Sequence, residues 1–159
     1  MTTPFLAQDL RRDEGLRLEA YPDPLSGAEP WTIGYGHTGP EVHEGLAWTP
    51  AEAETALISD IARACERLDA HAPWWRDLAD ARQDVLANLC FNMGWLNAAG
   101  THGLGTFQRT LDAIRAGRWQ EAHDRLLASA WARQVGGRAR RLALQLLAGA
   151  GARQEEPAG

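Results

Sequence analysis

Glu14 and Asp23 are the first residues of this chain whose types and spacing suggest chemistry. Glu14 ends an apolar helical pattern, and Asp23 lies in a turn between Pro22 and Pro24, with eight residues separating the two carboxylates. A helix end packed against a hairpin can bring such a pair to one wall. Paired carboxylates in different surroundings are what acid-assisted cleavage of a glycosidic bond requires. One donates a proton to the leaving oxygen. The other stays ionised, to activate water or to stabilise positive charge on the sugar. Glu14, emerging from an apolar helix, suits the acid role, and Asp23, on an exposed turn, suits the ionised one. Spacing alone does not set this pair apart from the other acidic pairs of the chain. Glu29 is a rival carboxylate in the same region, read as a solvated loop residue.

The elements that must position these groups are legible in outline. Pro4 suits the first helical position; Phe5, Leu6 and Leu10 form an apolar stripe, and Gly15 stops the helix after Glu14. Residues 16–21 alternate with period two, as a half-buried strand does, and residues 22–27 are dense in turn formers. Residues 31–37 alternate again, with Trp31, Ile33 and Tyr35 on one face and Thr32 on the other, and residues 38–40 close that strand. A small β-hairpin or meander results. From Thr49 onward the chain reads helical. Thr49-Pro50-Ala51-Glu52 is a capping box with Pro at the first helical position, and Leu57, Ile58, Ile61, Cys65 and Leu68 carry a helix of roughly twenty residues toward Pro73. Its length suits a link between an N-terminal and a C-terminal lobe. Further helices are expected around residues 85–93, 107–116, 119–127 and 138–148, and residues 149–159 are expected to be flexible. The expected class is α+β in a single domain over 1–159. Residues 1–60 form a small β-containing lobe with the start of the linking helix, and residues 61–148 form the rest of that helix and an all-helical lobe.

Composition sets bounds on this picture. At 159 residues, with 45% hydrophobic and 23% charged residues, the chain has the size and balance of one globular domain. A disordered chain, a collagen-like fibre and a disulfide miniprotein are excluded. The net charge of -5 argues against nucleic acid as the partner. That charge is uneven. Residues 1–60 carry 3 Arg against 11 Asp and Glu, and residues 61–159 carry 13 Arg against 10, with no Lys anywhere. An acidic lobe and a basic lobe facing a cleft would fit this split. Cys65 and Cys90 lie in apolar helical patterns without CxxC spacing, as buried free thiols do. The N-terminus lacks a basic stretch followed by an apolar run, and no segment reaches membrane-helix length. The expectation is a chain made in the cytoplasm without a signal peptide, not stably inserted in a membrane, and needing a separate route to any target outside.

The motif around the carboxylates narrows the reading. Asp13-Glu14-Gly15-Leu16-Arg17-Leu18, then Tyr21 and Asp23, then Trp31-Thr32-Ile33-Gly34-Tyr35-Gly36-His37 resembles the catalytic segment of phage-type lysozymes, glycoside hydrolase family 24. That segment carries a Glu, an Asp nine positions later and a Thr on the following strand, here Glu14, Asp23 and Thr32. Phe91-Asn92-Met93-Gly94 is similar to the family's helix end, and Arg118 to Ala122, Trp131, Arg138 and Arg141 follow its C-terminal pattern. The resemblance thus spans residues 5–148. One departure is the eight residues from Pro24 to Trp31, where the best-known members have five; a longer turn accommodates them at little cost.

The resemblance implies a lysozyme-like fold and an endolysin-type muramidase that works without metal or cofactor. Its substrate would be the β-1,4 bond between N-acetylmuramic acid and N-acetylglucosamine in peptidoglycan. Glu14 would be the general acid, with Asp23 and Thr32 positioning water for an inverting reaction. Thr38, Phe91, Asn92, Thr110, Arg125 and Arg138 would contact substrate. His37 is expected to be structural, hydrogen-bonded to Asp60, and Trp119 and Trp131 to be core. A monomer is expected, reaching the wall through a membrane lesion made by a holin-type protein. Two other readings stay open: a lytic transglycosylase, which uses one acid and leaves an anhydro sugar, and a non-catalytic wall-binding module.

Overall fold

The computed structural model describes residues 1–150; most of the segment expected to be flexible, 151–159, lies outside the described residues. The fold is mainly helical with one small antiparallel sheet, so the α+β class holds. The order is α1 (Pro4–Glu14), β1 (Arg17–Tyr21), β2 (Thr32–Gly34), β3 (His37–Thr38), α2 (Pro50–His71), α3 (Asp80–Met93), α4 (Gln108–Arg115), α5 (Trp119–Leu127), α6 (Ala130–Val135) and α7 (Gly137–Ala148). The chain divides into two compact units, Pro4–Arg63 on the one hand and Met1–Thr3 with the chain from Ala64 onward on the other. The division falls inside α2.

In the Pro4–Arg63 unit, α1 begins at Pro4 and ends at Glu14, as its cap residues dictate. Leu6 and Leu10 are buried on its apolar stripe. The sheet runs β1-β2-β3, with Tyr21 opposite Thr32, Thr32 opposite Thr38 and Ile33 opposite His37. On its other edge β1 meets residues 46–48, through the Ala20 N–H to the Leu46 carbonyl (2.9 Å) and the Trp48 N–H to the Leu18 carbonyl (2.8 Å). The expected single strand over residues 31–37 is corrected here: it is two short strands and a tight reversal. Gly34 (φ +67°) and Gly36 (φ +74°) are both left-handed, a region open to glycine at little cost but not found within a strand. The alternation of residues 31–37 therefore reports burial of Ile33 and not an extended run. The capping box forms as written: the Thr49 N–H donates to Glu52 Oε1 and the Glu52 N–H to Thr49 Oγ1, each at 3.2 Å.

In the other unit, helices α3 to α7 bury Val85, Leu86, Leu89, Cys90, Ile114, Ala122, Leu126, Ala143 and Leu146. Cys90 is a free thiol pushed up to about 11 by burial. Pro73–Asp77 forms a short 3-10 turn that buries Trp75, whose indole N–H donates to Asp69 at 2.8 Å. Helix α6 was not expected from the sequence. Its start is set by Ser129, whose Oγ accepts the Ala132 N–H at 3.1 Å.

Several polar side chains inside this unit are held by backbone carbonyls. Gln83 spans two backbone carbonyls, of Arg76 and Leu78, at 2.9 and 2.8 Å. Arg82 closes α7: its Nε donates to the Leu146 carbonyl at 2.8 Å and its Nη2 to the Leu147 carbonyl at 3.3 Å. The same guanidinium lies 3.6 Å from the Trp119 ring centroid. Orphan carbonyls at a helix C-terminus and a cation over an indole face both depend on this one residue. Arg82→Ala is expected to lower stability by about 2 kcal/mol, and Arg82→Lys to recover less than half of it, because an ammonium cannot supply the planar fork. Urea unfolding of the three proteins checks this.

Candidate active site

Glu14 ends α1, half-buried, and its carboxyl packs against the β2–β3 reversal. A Cβ added at Gly36 would lie 2.7 Å from Glu14 Oε2 and 3.2 Å from its carboxyl carbon. The glycine therefore serves two ends, the left-handed backbone and the space that the acid occupies. Gly34 does the same beside Trp48, whose ring would sit 3.0 Å from an added Cβ.

Asp23 follows β1 by two residues, and its carboxylate accepts the Leu25 N–H at 3.2 Å and the Ser26 hydroxyl at 3.3 Å. Thr32 opens β2, half-buried, with Tyr21 on one side and Thr38 on the other. Glu14, Asp23, Thr32 and Thr38 thus all belong to the Pro4–Arg63 unit, arranged about one three-stranded sheet. Glu29 is exposed in the turn beyond Asp23.

His37 is buried at 6% exposure on β3 with both ring nitrogens engaged: Nδ1 lies 2.7 Å from Asp60 Oδ2 and Nε2 2.6 Å from Glu41 Oε1. Asp60 is the partner expected from the sequence. Glu41 was missed, because spacing across the Gly39-Pro40 turn carries no periodic signal. Burial disfavours the charged ring, but the hydrogen bonds that it donates to Glu41 and Asp60 outweigh this and raise His37 above the ordinary histidine value. The bond to His37 in turn holds Glu41 below the usual carboxylate range. Trp48 lies against the imidazole at 5.4 Å between ring centroids.

The remaining sequence candidates belong to the other unit. Thr110 and Arg125 line a cavity of about 510 Å³ with Phe107, Gln108, Arg109 and Ser129. Thr110 is buried at 6% exposure, and Arg125 reaches Glu121 at 3.5 Å while its buried Nε has no hydrogen-bond partner among the described residues. Phe91 is half-buried at the end of α3. Asn92 is exposed there, and its Oδ1 accepts the indole N–H of the buried Trp131 at 2.7 Å. Arg138 is 8% exposed, with its Nε and Nη2 both donating to Asn88 Oδ1, at 3.0 and 2.8 Å. Thr110 and Arg125 are therefore brought together in one cavity. Arg138 is committed to a buried contact on α3 that the sequence pattern did not reveal.

The sequence pattern of the family described as Phage lysozyme matches residues 11–150, and the chain belongs to that family. Among curated proteins it is 31% identical to the pre-baseplate central spike protein Gp5 of Enterobacteria phage T4, over 91% of this chain and 28% of that protein. It is 30% identical to an endolysin of Bacillus phage B103, over 72% of this chain and 40% of that protein. The chain thus spans well under half the length of these relatives.

Two outcomes follow from the geometry. His37 has a raised value in the folded state, so the stability it contributes is complete below about pH 6.5 and is lost as pH rises through that raised value. Glu41, held low, sets the acid side, where stability is lost as pH falls through its depressed value. The melting temperature of the wild type is expected to decline above about pH 6.5, and that of His37→Asn, lower throughout, to be nearly flat there; thermal scans across pH check it. Gly36→Ala places a methyl against the Glu14 carboxyl and a side chain in a left-handed backbone position. It is expected to cost about 1–2 kcal/mol by urea unfolding and to displace Glu14 from the hairpin, seen as altered shifts of the Glu14 side chain in NMR spectra of the folded variant.

Proposed function

We propose that this protein is an endolysin-type muramidase that hydrolyses the β-1,4 bond between N-acetylmuramic acid and N-acetylglucosamine in bacterial peptidoglycan. The reading is carried by one observation. A chain of the phage lysozyme family holds Glu14, Asp23 and Thr32 about one sheet, at a helix end, a strand exit and a strand start. Glu14 is the general acid: it protonates the glycosidic oxygen as the bond breaks. Asp23 holds and activates the attacking water and balances the positive charge that grows on the sugar ring. The Thr32 hydroxyl, on the residue opposite Tyr21 in the sheet, gives that water a second partner, which favours attack from the opposite face and inversion. Protein side chains supply both proton transfers, and the reaction needs no metal or cofactor. Thr38 on the sheet and Phe91, Asn92, Thr110 and Arg125 in the other unit contact the glycan and its peptide stems. The guanidinium of Arg125 suits a stem carboxylate.

No helix among the described residues is long and apolar enough to cross a membrane. In this reading a separate holin-type protein opens the inner membrane for delivery to the wall, and the enzyme acts as a monomer on an insoluble polymer.

Purified sacculi and outer-membrane-permeabilised cells test the proposal. The wild type is expected to clear both, and Glu14→Gln to slow clearing by about 10²-fold or more while keeping its melting temperature. Mass spectrometry of the soluble fragments is expected to find reducing N-acetylmuramic acid ends. Anhydro ends would assign a transglycosylase instead, and pelleting with sacculi without clearing would leave only a wall-binding module.

A further inference from the structure

We propose that Ser26 is a positioning residue for Asp23, supplied by the turn that lengthens the stretch between Asp23 and Thr32. The proposal rests on the catalytic reading of Asp23 given above. The turn folds back on the carboxylate instead of looping away from it. Its backbone closes through the Asp23 N–H to the Ala28 carbonyl (3.0 Å) and the Gly27 N–H to the Asp23 carbonyl (2.8 Å). Within that frame each carboxylate oxygen faces its own donor, Oδ1 the Leu25 N–H at 3.2 Å and Oδ2 the Ser26 hydroxyl at 3.3 Å. Two donors on two oxygens fix the plane of the carboxyl group, and one oxygen alone would leave it free to rotate. The plane decides where a water held by Asp23 points its lone pair.

The hydroxyl is itself held in place. Ser26 Oγ accepts the Ala28 N–H at 3.3 Å and stands 3.2 Å from the Glu29 carbonyl as well as 3.3 Å from Asp23 Oδ2. A serine has one proton to give, so the two acceptors share it in alternation. The carboxylate is the stronger acceptor, because the bond to it is charge-assisted. Asp23 Oδ2 has a second lone pair for the attacking water, so it can keep the Ser26 bond while it holds that water. Ser26 therefore keeps the carboxyl plane oriented while the water is held. Both Ser26 and Leu25 are exposed, so the hydroxyl has little part in packing.

The test compares Ser26→Ala, Ser26→Thr and Asp23→Asn with the wild type on solubilised glycan chains. Ser26→Ala is expected to lower kcat about fivefold, the effect of one exposed hydrogen bond, with KM unchanged and the melting temperature within about 1 °C. Ser26→Thr, which keeps the hydroxyl, restores kcat. An unchanged kcat in Ser26→Ala, a change confined to KM, an equal loss in Ser26→Thr, or a melting temperature lowered with the activity each overturns the positioning role. Asp23→Asn is read separately: if it keeps wild-type kcat, the catalytic reading of Asp23 fails whatever the Ser26 variants do.

Discussion

The site depends on how the β2–β3 hairpin is anchored. A hairpin of strands three and two residues long has too few ladder bonds to hold itself in water. His37 supplies the missing constraint by presenting both ring nitrogens to carboxylates, Asp60 on α2 and Glu41 beyond the next turn. With β3 tied to α2, the reversal before it is fixed, and with the reversal fixed, Gly36 presents the bare Cα against which the Glu14 carboxyl packs. A second tie secures the helix that carries Glu14. Arg11, one turn earlier on α1, donates its Nε to Glu54 Oε2 at 3.1 Å and so binds α1 to α2. Both ties are charged and partly shielded, where such bonds hold more than they would in open solvent.

The uneven charge of the chain takes a different meaning once these contacts are known. The Arg excess of residues 61–159 does not form one free basic surface. Arg76 pairs with Asp69, Arg118 and Arg125 share Glu121, Arg82 closes a helix end, and Arg138 lies buried on Asn88. These positive charges are thus engaged inside their own unit, three on carboxylates and two, Arg82 and Arg138, on carbonyl and amide oxygens. A guanidinium suits that work because it offers several donors in a plane, where a lysine would offer a mobile point charge. The exclusive use of Arg fits this structural demand as well as it fits any role toward an anionic polymer.

Local signals were read correctly where local chemistry decides the outcome. Pro4 and Gly15 set the ends of α1, and the Thr49–Glu52 box sets the start of α2. The motif also led to the pairing of His37 with Asp60. What the sequence hid was long-range or conformational. Alternation over residues 31–37 suggested one strand, because a period of two is blind to two left-handed glycines that reverse the chain. Helix α6 is short, and only the cap at Ser129 announces it. Asn88 gave no sign that it would receive Arg138, since fifty residues separate partners that meet only when α7 packs on α3. The cluster of turn formers after Asp23 did carry a legible signal, an aspartate followed at the third position by a serine, which is a common side-chain-to-backbone turn.

That turn bears on why the site tolerates a stretch of unusual length between its carboxylate and its threonine. The relation of Asp23 to Thr32 is set on the strand side of the turn. Tyr21 stands opposite Thr32 in the sheet, and Asp23 follows Tyr21 by two residues whatever number of residues the turn holds. Added residues between Asp23 and Thr32 therefore lengthen the excursion without sliding the register, provided they close their own hydrogen bonds. They do, through the Asp23–Ala28 and Asp23–Gly27 backbone pairs. The two carboxylates are consequently held by opposite means. Glu14 is fixed by distant parts of the chain, the hairpin and α2, so its placement fails if the unit loosens. Asp23 is fixed by its immediate neighbours, so its placement survives wherever the turn is intact. In the reaction proposed above, the acid that must meet one oxygen of the leaving group would gain from the first arrangement, and the group that must aim a water from the second.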